Sequence, residues 1–258
     1  MTPDLHVAFL HYNLRPGEQV TYNSPAPVEF ETESARIRLA DGKLVCEMKQ
    51  HFETAEEARA DVEPVLHAWE ADSDLRWSRG EFRLEFANAE IVDRSPAEPG
   101  VVRGNAHLLL GLNVIAAAGT VSIHATRGRY PEPPGPFRLT PDAQSILVRY
   151  QGYLDGREPL LAMAYFCLTV VEANTGGRSS AAKSYRIEEP VLRKIGELTS
   201  RRGDRTSARK ASVGAALPLE GSEGAWLEAA IKALVWRLGD TNSIATLPWI
   251  TLDSLPKL

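Results

Sequence analysis

Residues 130–136 have the sequence Tyr130-Pro131-Glu132-Pro133-Pro134-Gly135-Pro136, and this stretch decides how the 258-residue chain is divided. Proline has no backbone N–H and fixes φ at about −65°, so four prolines in seven residues can continue neither a helix nor a central strand. Proline at this density favours an extended, semi-rigid connector. The sequence therefore predicts a domain over residues 1–130, a connector over 131–139 and a second domain over 140–258.

Strands dominate the prediction for the part before the connector. Residues 35–40 and 43–48 alternate apolar and polar side chains on either side of Asp41-Gly42, a pair that favours the type I′ turn of a β-hairpin. Alternation also predicts strands at residues 5–12 and 81–86. Two apolar runs are typical of buried strands, with helix as the alternative for the first, and they cover residues 106–118 and 121–125.

One helix is predicted in this part. Residues 54–57 form a capping box, in which the Thr54 hydroxyl and the Glu57 carboxylate satisfy free backbone N–H groups. Apolar side chains then recur at helical spacing, at Val62, Val65, Leu66 and Trp69. Pro64 is expected to kink or restart the helix because it removes a hydrogen-bond donor. The first domain is thus predicted to be a sheet with one helix laid against it.

Helices dominate the prediction for the part after the connector. Thr140-Pro141 supplies a cap and a proline at the first helical position, and the pattern continues to Gly156. Three more helices are predicted at 158–174, from about 189 and at 222–238, with residues 177–180 interpreted as a loop. The predicted fold class is α+β, a strand-rich N-terminal domain followed by a C-terminal helical bundle.

Cysteine content and hydropathy bear on the compartment. Cys46 and Cys167 are the only cysteines, so no disulfide framework and no paired metal-ligand spacing exists, and a reducing cytoplasm fits best. The longest apolar stretch, residues 160–171, is shorter than the roughly 20 residues of a membrane helix. The N-terminus lacks the basic region of an export signal. We expect a soluble cytoplasmic protein with no membrane contact.

Charge is distributed unevenly. The net charge is −5, with 14 Lys/Arg against 21 Asp/Glu in residues 1–140 and 15 against 13 in the remainder. The acidic first part argues against a protein wrapped by nucleic acid. One basic run, residues 201–210, has the composition of a phosphate-binding loop, and a solvated loop is the alternative. Its candidate nucleic-acid-binding residues are Arg201, Arg202, Arg205, Arg209 and Lys210.

Catalytic signatures are few. All six histidines precede residue 125, and no nucleophile-elbow, phosphate-loop or dinucleotide-binding motif occurs, so no cofactor is expected. An enzyme with a pocket in this domain would use His107 or His124 together with acidic residues of the strand region. The candidate acids are Glu81, Glu85, Glu90 and Asp93. The alternative is that these acids form the solvated face of the strand. A metal site would need His6, His11, His107 or His124 beside such acids. No pair has one-turn helical spacing, so no metal is expected.

A family resemblance lies in the helical part. Its residues are Tyr150, Tyr153, Glu158-Pro159-Leu160, Ala164-Tyr165-Phe166 and Glu172, and over less than half the chain they resemble the first helices of HEPN-type domains. In bacteria such domains often accompany a strand-rich domain in defence or toxin systems. The family's ribonuclease motif, Arg-x4-6-His, is missing because no histidine follows His124. The resemblance therefore implies a dimerising or RNA-contacting scaffold without that catalysis.

The favoured interpretation is a non-catalytic binding or assembly protein that forms a homodimer or binds a protein partner. The helix predicted at 158–174 has no polar face, and the C-terminal tail is apolar. Each of them needs either a partner or an internal packing site. The candidate interface residues are Leu160, Met163, Tyr165, Phe166 and Trp249. The enzyme pocket in the N-terminal domain and the nucleic-acid-binding loop are the two alternatives.

Overall fold

A computed structural model describes residues 4–18, 20–77, 80–95, 125–203, 217–242 and 244–258. The chain forms two compact units, Met1–Gly135 and Pro136–Leu258. In the described residues the first unit is strand-rich with one helix and the second is helical, so the predicted α+β class is confirmed.

Seven strands are described, and five of them form one sheet. They are β1 (Leu5–Arg15), β2 (Val20–Ala26), β3 (Val28–Glu31), β4 (Ala35–Ala40), β5 (Lys43–Met48), β6 (Arg83–Asp93) and β7 (Ala125–Arg129). The sheet has the order β3-β4-β5-β1-β6, and all its neighbours are antiparallel. Strands β2 and β7 form a separate parallel pair. The predicted run at 106–118 and most of that at 121–125 lie outside the described residues.

The predicted hairpin is confirmed. Ala40 pairs with Lys43, and Asp41 and Gly42 have φ values of 50° and 71°, as a type I′ turn requires of both central residues. The alternating pattern buries Ile37, Leu39, Leu44 and Cys46 completely. The strand predicted at residues 81–86 begins instead at Arg83 and continues to Asp93.

Helix α1 (Ala55–Arg76) packs on the sheet. Its predicted cap is present, since the Thr54 side chain accepts a hydrogen bond from the Glu57 N–H at 3.3 Å. The restart expected at Pro64 is wrong, because α1 continues through that residue. Val62 and Leu66 on either side of Pro64 are buried at 1% exposure each, and their packing offsets the one lost hydrogen bond.

Five α-helices are described in the second unit. They are α2 (Pro141–Leu154), α3 (Leu160–Ala173), α4 (Arg178–Ser184), α5 (Glu189–Arg201) and α6 (Gly221–Gly239). Four match the predicted helices, but the loop predicted at residues 177–180 is wrong because α4 begins at Arg178. Helix α4 has only seven residues and buries only Ala181 and Ala182, too few to give a periodic apolar pattern.

Helix α3 lies at the centre of this unit and contacts α2, α4, α5 and α6. Met163, Ala164 and Cys167 have no exposed surface. Within the described chain, no single helix is long and apolar enough to cross a membrane; α3 and α4 meet that criterion only as a pair bent by 77°.

Candidate functional site

The C-terminal tail, residues 247–252, is fastened to the helical unit through its backbone. The Ile250 N–H donates to the Arg186 carbonyl at 2.9 Å, and the Glu188 N–H donates to the Ile250 carbonyl at 2.9 Å. Ile250 is also buried, and it pairs with Ile187 in a parallel bridge. The tail is therefore an ordered part of the unit, as its apolar composition predicts.

A buried arginine reinforces this attachment. Arg237 of α6 donates through Nη1 to the Tyr185 carbonyl at 2.7 Å and the Arg186 carbonyl at 3.3 Å, and through Nη2 to the Pro248 carbonyl at 2.6 Å. Burial lowers the pKa of Arg237 from its ordinary value, and the nearby Asp240 opposes that change. One guanidinium thus joins the α4–α5 turn to the tail.

Trp249 lies on this fixed backbone, and its side chain is partly exposed to solvent. Its neighbours Pro248 and Ile250 are both held, yet Trp249 remains 42% exposed. The Arg186 guanidinium lies 5.5 Å from the centre of the indole ring, at a distance typical of a cation–π contact. Leu252, three residues further on, is 40% exposed. The tail therefore carries two exposed apolar side chains, Trp249 and Leu252, which together we call the tail surface.

The other four predicted interface residues lie on α3. Met163 is fully buried, while Leu160, Tyr165 and Phe166 are partly buried. The Arg149 guanidinium lies 4.5 Å from the centre of the Phe166 ring. Trp249 is the most exposed of the five predicted residues, and their role in association stays a prediction.

Two residues of the predicted basic loop are described. Arg201 is exposed and lies 3.5 Å from Glu197, whereas Arg202 donates to the buried Glu223 carboxylate at 2.7 Å. Burial opposes the ionisation of Glu223, but hydrogen bonds from the Glu220 N–H and Arg202 hold its pKa below the ordinary value. Arg202 thus ties the end of α5 to the start of α6. Arg205, Arg209 and Lys210 lie outside the described residues.

The four predicted acids of the strand region have separate partners. Glu81 is 4% exposed and receives two hydrogen bonds of 3.0 Å from Arg127. The other three contact different groups: Glu85 pairs with Arg15 at 2.6 Å, Glu90 with His11 at 2.9 Å, and Asp93 accepts the Asp4 N–H at 3.2 Å. Their contacts are ion pairs and hydrogen bonds along the sheet and at its end.

Sequence reasoning missed three acids near the end of α1, of which Asp72 and Asp74 are buried and Glu70 is partly buried. Asp72 pairs with Arg76 at 2.8 Å, and Asp74 pairs with Arg83. Glu70 accepts the Leu84 N–H at 2.6 Å, and burial raises its pKa. Asp and Glu are rarely buried, so composition gives no signal for them.

The described histidines occupy three places, one of which is the exposed His67 on α1. His6 is buried and stacks against His51 at 5.4 Å between ring centres, while His11 meets Glu90 in a partly exposed pair. His107 and His124 lie outside the described residues. Within the described part of the chain, no group of three His, Cys, Asp or Glu side chains could hold a metal ion.

Both cysteines are fully buried. Burial raises the pKa of Cys46 to about 12 and also raises the pKa of Cys167, whose Sγ lies 3.6 Å from the Met163 sulfur. A nucleophilic cysteine needs a stabilised thiolate, which these surroundings disfavour.

Comparison with known proteins finds no matching family model, curated protein or solved structure.

Proposed function

We propose that this chain is a cytoplasmic, non-catalytic assembly protein that binds a second copy of itself through the tail surface. The observation that carries this proposal is the 42% exposure of Trp249 on a backbone held by Arg237 and by the hydrogen bonds of Ile250. Tryptophan is the residue type most enriched at the energetic centres of protein interfaces.

The exposed part of the indole can supply useful binding energy. At 42% exposure, Trp249 presents roughly 100 Å² to solvent, and burying that area contributes about 2.5 kcal/mol. A flexible terminus would lose much of this gain in ordering its backbone. Here the folded unit has already fixed the backbone, so most of the gain is available for association.

The burial of the cysteines and the pairing of the acids singled out from the sequence support a binding role over an enzymatic one. In the described ranges, both thiols are buried and the acids singled out from the sequence each have their own cation or backbone donor. The enzyme hypothesis then depends on His107 and His124, and the nucleic-acid hypothesis on Arg205, Arg209 and Lys210. Those residues lie outside the described ranges, so both alternatives stay hypotheses.

The HEPN resemblance suggests a biological setting for such an assembly. Helices α2 and α3 and the turn between them carry the residues of that resemblance, which implies a dimerising or RNA-contacting scaffold. A homodimeric scaffold subunit of a bacterial defence-type system would combine the resemblance with an ordered association surface.

Light scattering during size exclusion of the full chain tests the proposal. We expect a dimer, and Trp249→Ala should weaken it at least 70-fold, because about 2.5 kcal/mol is lost from each copy of the tail surface. Val148→Ala is the matched control, since Val148 is 57% exposed on α2, and it should leave the dimer intact. A monomeric wild-type chain at tens of micromolar, or an undiminished Trp249→Ala dimer, would contradict the proposal.

A further inference from the structure

Two histidines from different segments stack at the end of the five-stranded sheet where β1 begins and β6 ends. His6 lies on β1 with 1% of its surface exposed, opposite Val92 of β6. The ring of His51, from the segment after β5, lies 5.4 Å from the His6 ring with 14° between their planes. The His51 side chain is 45% exposed, so it covers His6 on the solvent side.

His6 has little support for a positive charge. Its Nδ1 is buried without a hydrogen-bond partner. Burial lowers the pKa of His6 from 6.5, Arg94 and His51 lower it further, and Asp4 opposes them. A buried imidazolium without an acceptor is costly, so the folded protein favours the neutral ring.

The charged groups around the pair come from three segments. Asp4 precedes His6 on its own segment and lies 3.9 Å from the His51 Nε2, so it can compensate one imidazolium. Asp93 and Arg94 lie at the end of β6, and Asp93 already accepts the Asp4 N–H at 3.2 Å. In these surroundings, Arg94 and a charged His51 would both disfavour a positive charge on His6, and Asp4 would favour it.

The β1–β6 ladder, which pairs Leu5 with Asp93 and His6 with Val92, and further hydrogen bonds hold this end of the sheet together. The Val7 N–H donates to the Phe52 carbonyl at 2.9 Å, which attaches β1 to the segment that carries His51. The Arg94 N–H donates to the Asp4 carbonyl at 2.7 Å, and the Asp4 N–H donates to the Ser95 hydroxyl at 2.9 Å. These contacts are the ones that repulsion between two stacked cations would break.

We propose that the stacked His6 and His51 form an acid-sensitive latch: protonation of both rings separates them and releases the start of β1 from residue 52 and from the end of β6. Histidine is the side chain whose charge changes between pH 5 and 8. Because the pKa of His6 is lower in the folded state, the unfolded state binds more protons as the pH falls through 6.5. The stability that the neutral stack contributes is present above pH 6.5 and is lost below it.

Amide hydrogen exchange of the full chain at pH 7.5 and pH 5.5 tests the latch, with protection factors corrected for the pH dependence of intrinsic exchange. We expect the amides of Val7 and Arg94 to lose roughly three- to tenfold in protection at pH 5.5, because one histidine with an unfolded pKa of 6.5 contributes at most about elevenfold there. Amides inside the β4–β5 hairpin, at Ile37 and Cys46, should change less than twofold, because they lie within the β4–β5 ladder and Cys46 faces Leu10 of β1, away from the start of that strand. Equal changes at all four amides, or no change at Val7 and Arg94, would overturn the proposal.

A variant at position 51 separates the effect of the His51 charge from the effect of the ring's shape. His51→Phe keeps a ring over His6 but cannot be protonated, so the acid-induced loss at Val7 should shrink by at least threefold. His67→Phe, at an exposed position on α1, is the matched control and should leave the loss unchanged. An undiminished loss in His51→Phe would overturn the latch. NMR titration of the wild-type rings gives a second test, because a His6 that titrates at or above 6.5 would also overturn it.

Discussion

Replacing Arg237 by methionine should release the C-terminal tail from the helical unit. The methionine side chain fills much of the same apolar space but donates no hydrogen bond. The carbonyls of Tyr185, Arg186 and Pro248 would each lose the guanidinium N–H that they now accept. Two of these groups belong to the α4–α5 turn and one to the tail, so the variant removes the hydrogen bonds by which Arg237 joins them.

The expected cost follows from the geometry. A hydrogen bond from a charged donor contributes about 1.5–3 kcal/mol, and two of the three bonds are short, at 2.7 and 2.6 Å. Removing Arg237 also removes the desolvation cost of a guanidinium that is only 8% exposed, and this offsets part of the loss. We expect a net destabilisation of the tail attachment of about 2–4 kcal/mol.

Hydrogen exchange at the Glu188 and Ile250 amides measures this attachment directly, because those amides donate across the junction. A cost of about 2–4 kcal/mol corresponds to a loss of roughly 30- to 1,000-fold in protection. Arg193→Met is the control, since the Arg193 side chain is 69% exposed in an ion pair with Glu189 and should matter little. Protection in Arg237→Met within threefold of the wild type would refute the assignment of Arg237 as the residue that holds the tail.

Two further predictions concern the core of each unit. Gly239→Ala should destabilise the helical unit by about 1–3 kcal/mol in urea unfolding, because a Cβ there would lie 2.6 Å from the Arg138 carbonyl oxygen. Gly224→Ala in the same helix should stabilise the unit by up to about 1 kcal/mol, because the nearest neighbour of its Cβ would lie at 3.6 Å. Glu81→Gln should destabilise the first unit by about 1–3 kcal/mol, since it leaves the two-thirds-buried Arg127 side chain without its carboxylate. A stabilising Gly239→Ala, a destabilising Gly224→Ala, or a Glu81→Gln effect below about 0.5 kcal/mol would contradict this packing.

Local signals explain why parts of the fold could be predicted from the sequence. The β4–β5 hairpin lies within 14 consecutive residues, and Asp41-Gly42 supplies the turn that its alternating strands require. Helix α2 likewise has its cap within its own segment, because the Thr140 hydroxyl accepts the Ala143 N–H at 3.2 Å. In both elements, the residues that set the boundaries are also the residues that make the deciding hydrogen bonds.

Long-range pairing explains what could not be predicted. Val20 of β2 pairs with Ala125 of β7. The residues near either position do not indicate a partner more than 100 residues away. The same holds for Glu81 and Arg127, which are 46 residues apart. The partners of Arg237 are harder still to predict from the sequence. Backbone carbonyls accept its hydrogen bonds, and every residue carries a carbonyl.

The tail shows how an ordered backbone can force an apolar side chain into solvent. The sequence predicts that residues 247–252 pack against something, and Ile250 does so inside the unit. Side chains alternate in direction along extended backbone, so the inward position of Ile250 turns Trp249 away from the core. Internal packing therefore buries Ile250 and part of Leu247, while Arg186 covers part of the indole and leaves 42% of Trp249 in water. The interactions that make the tail part of the fold are thus the same ones that leave Trp249 available to a second molecule.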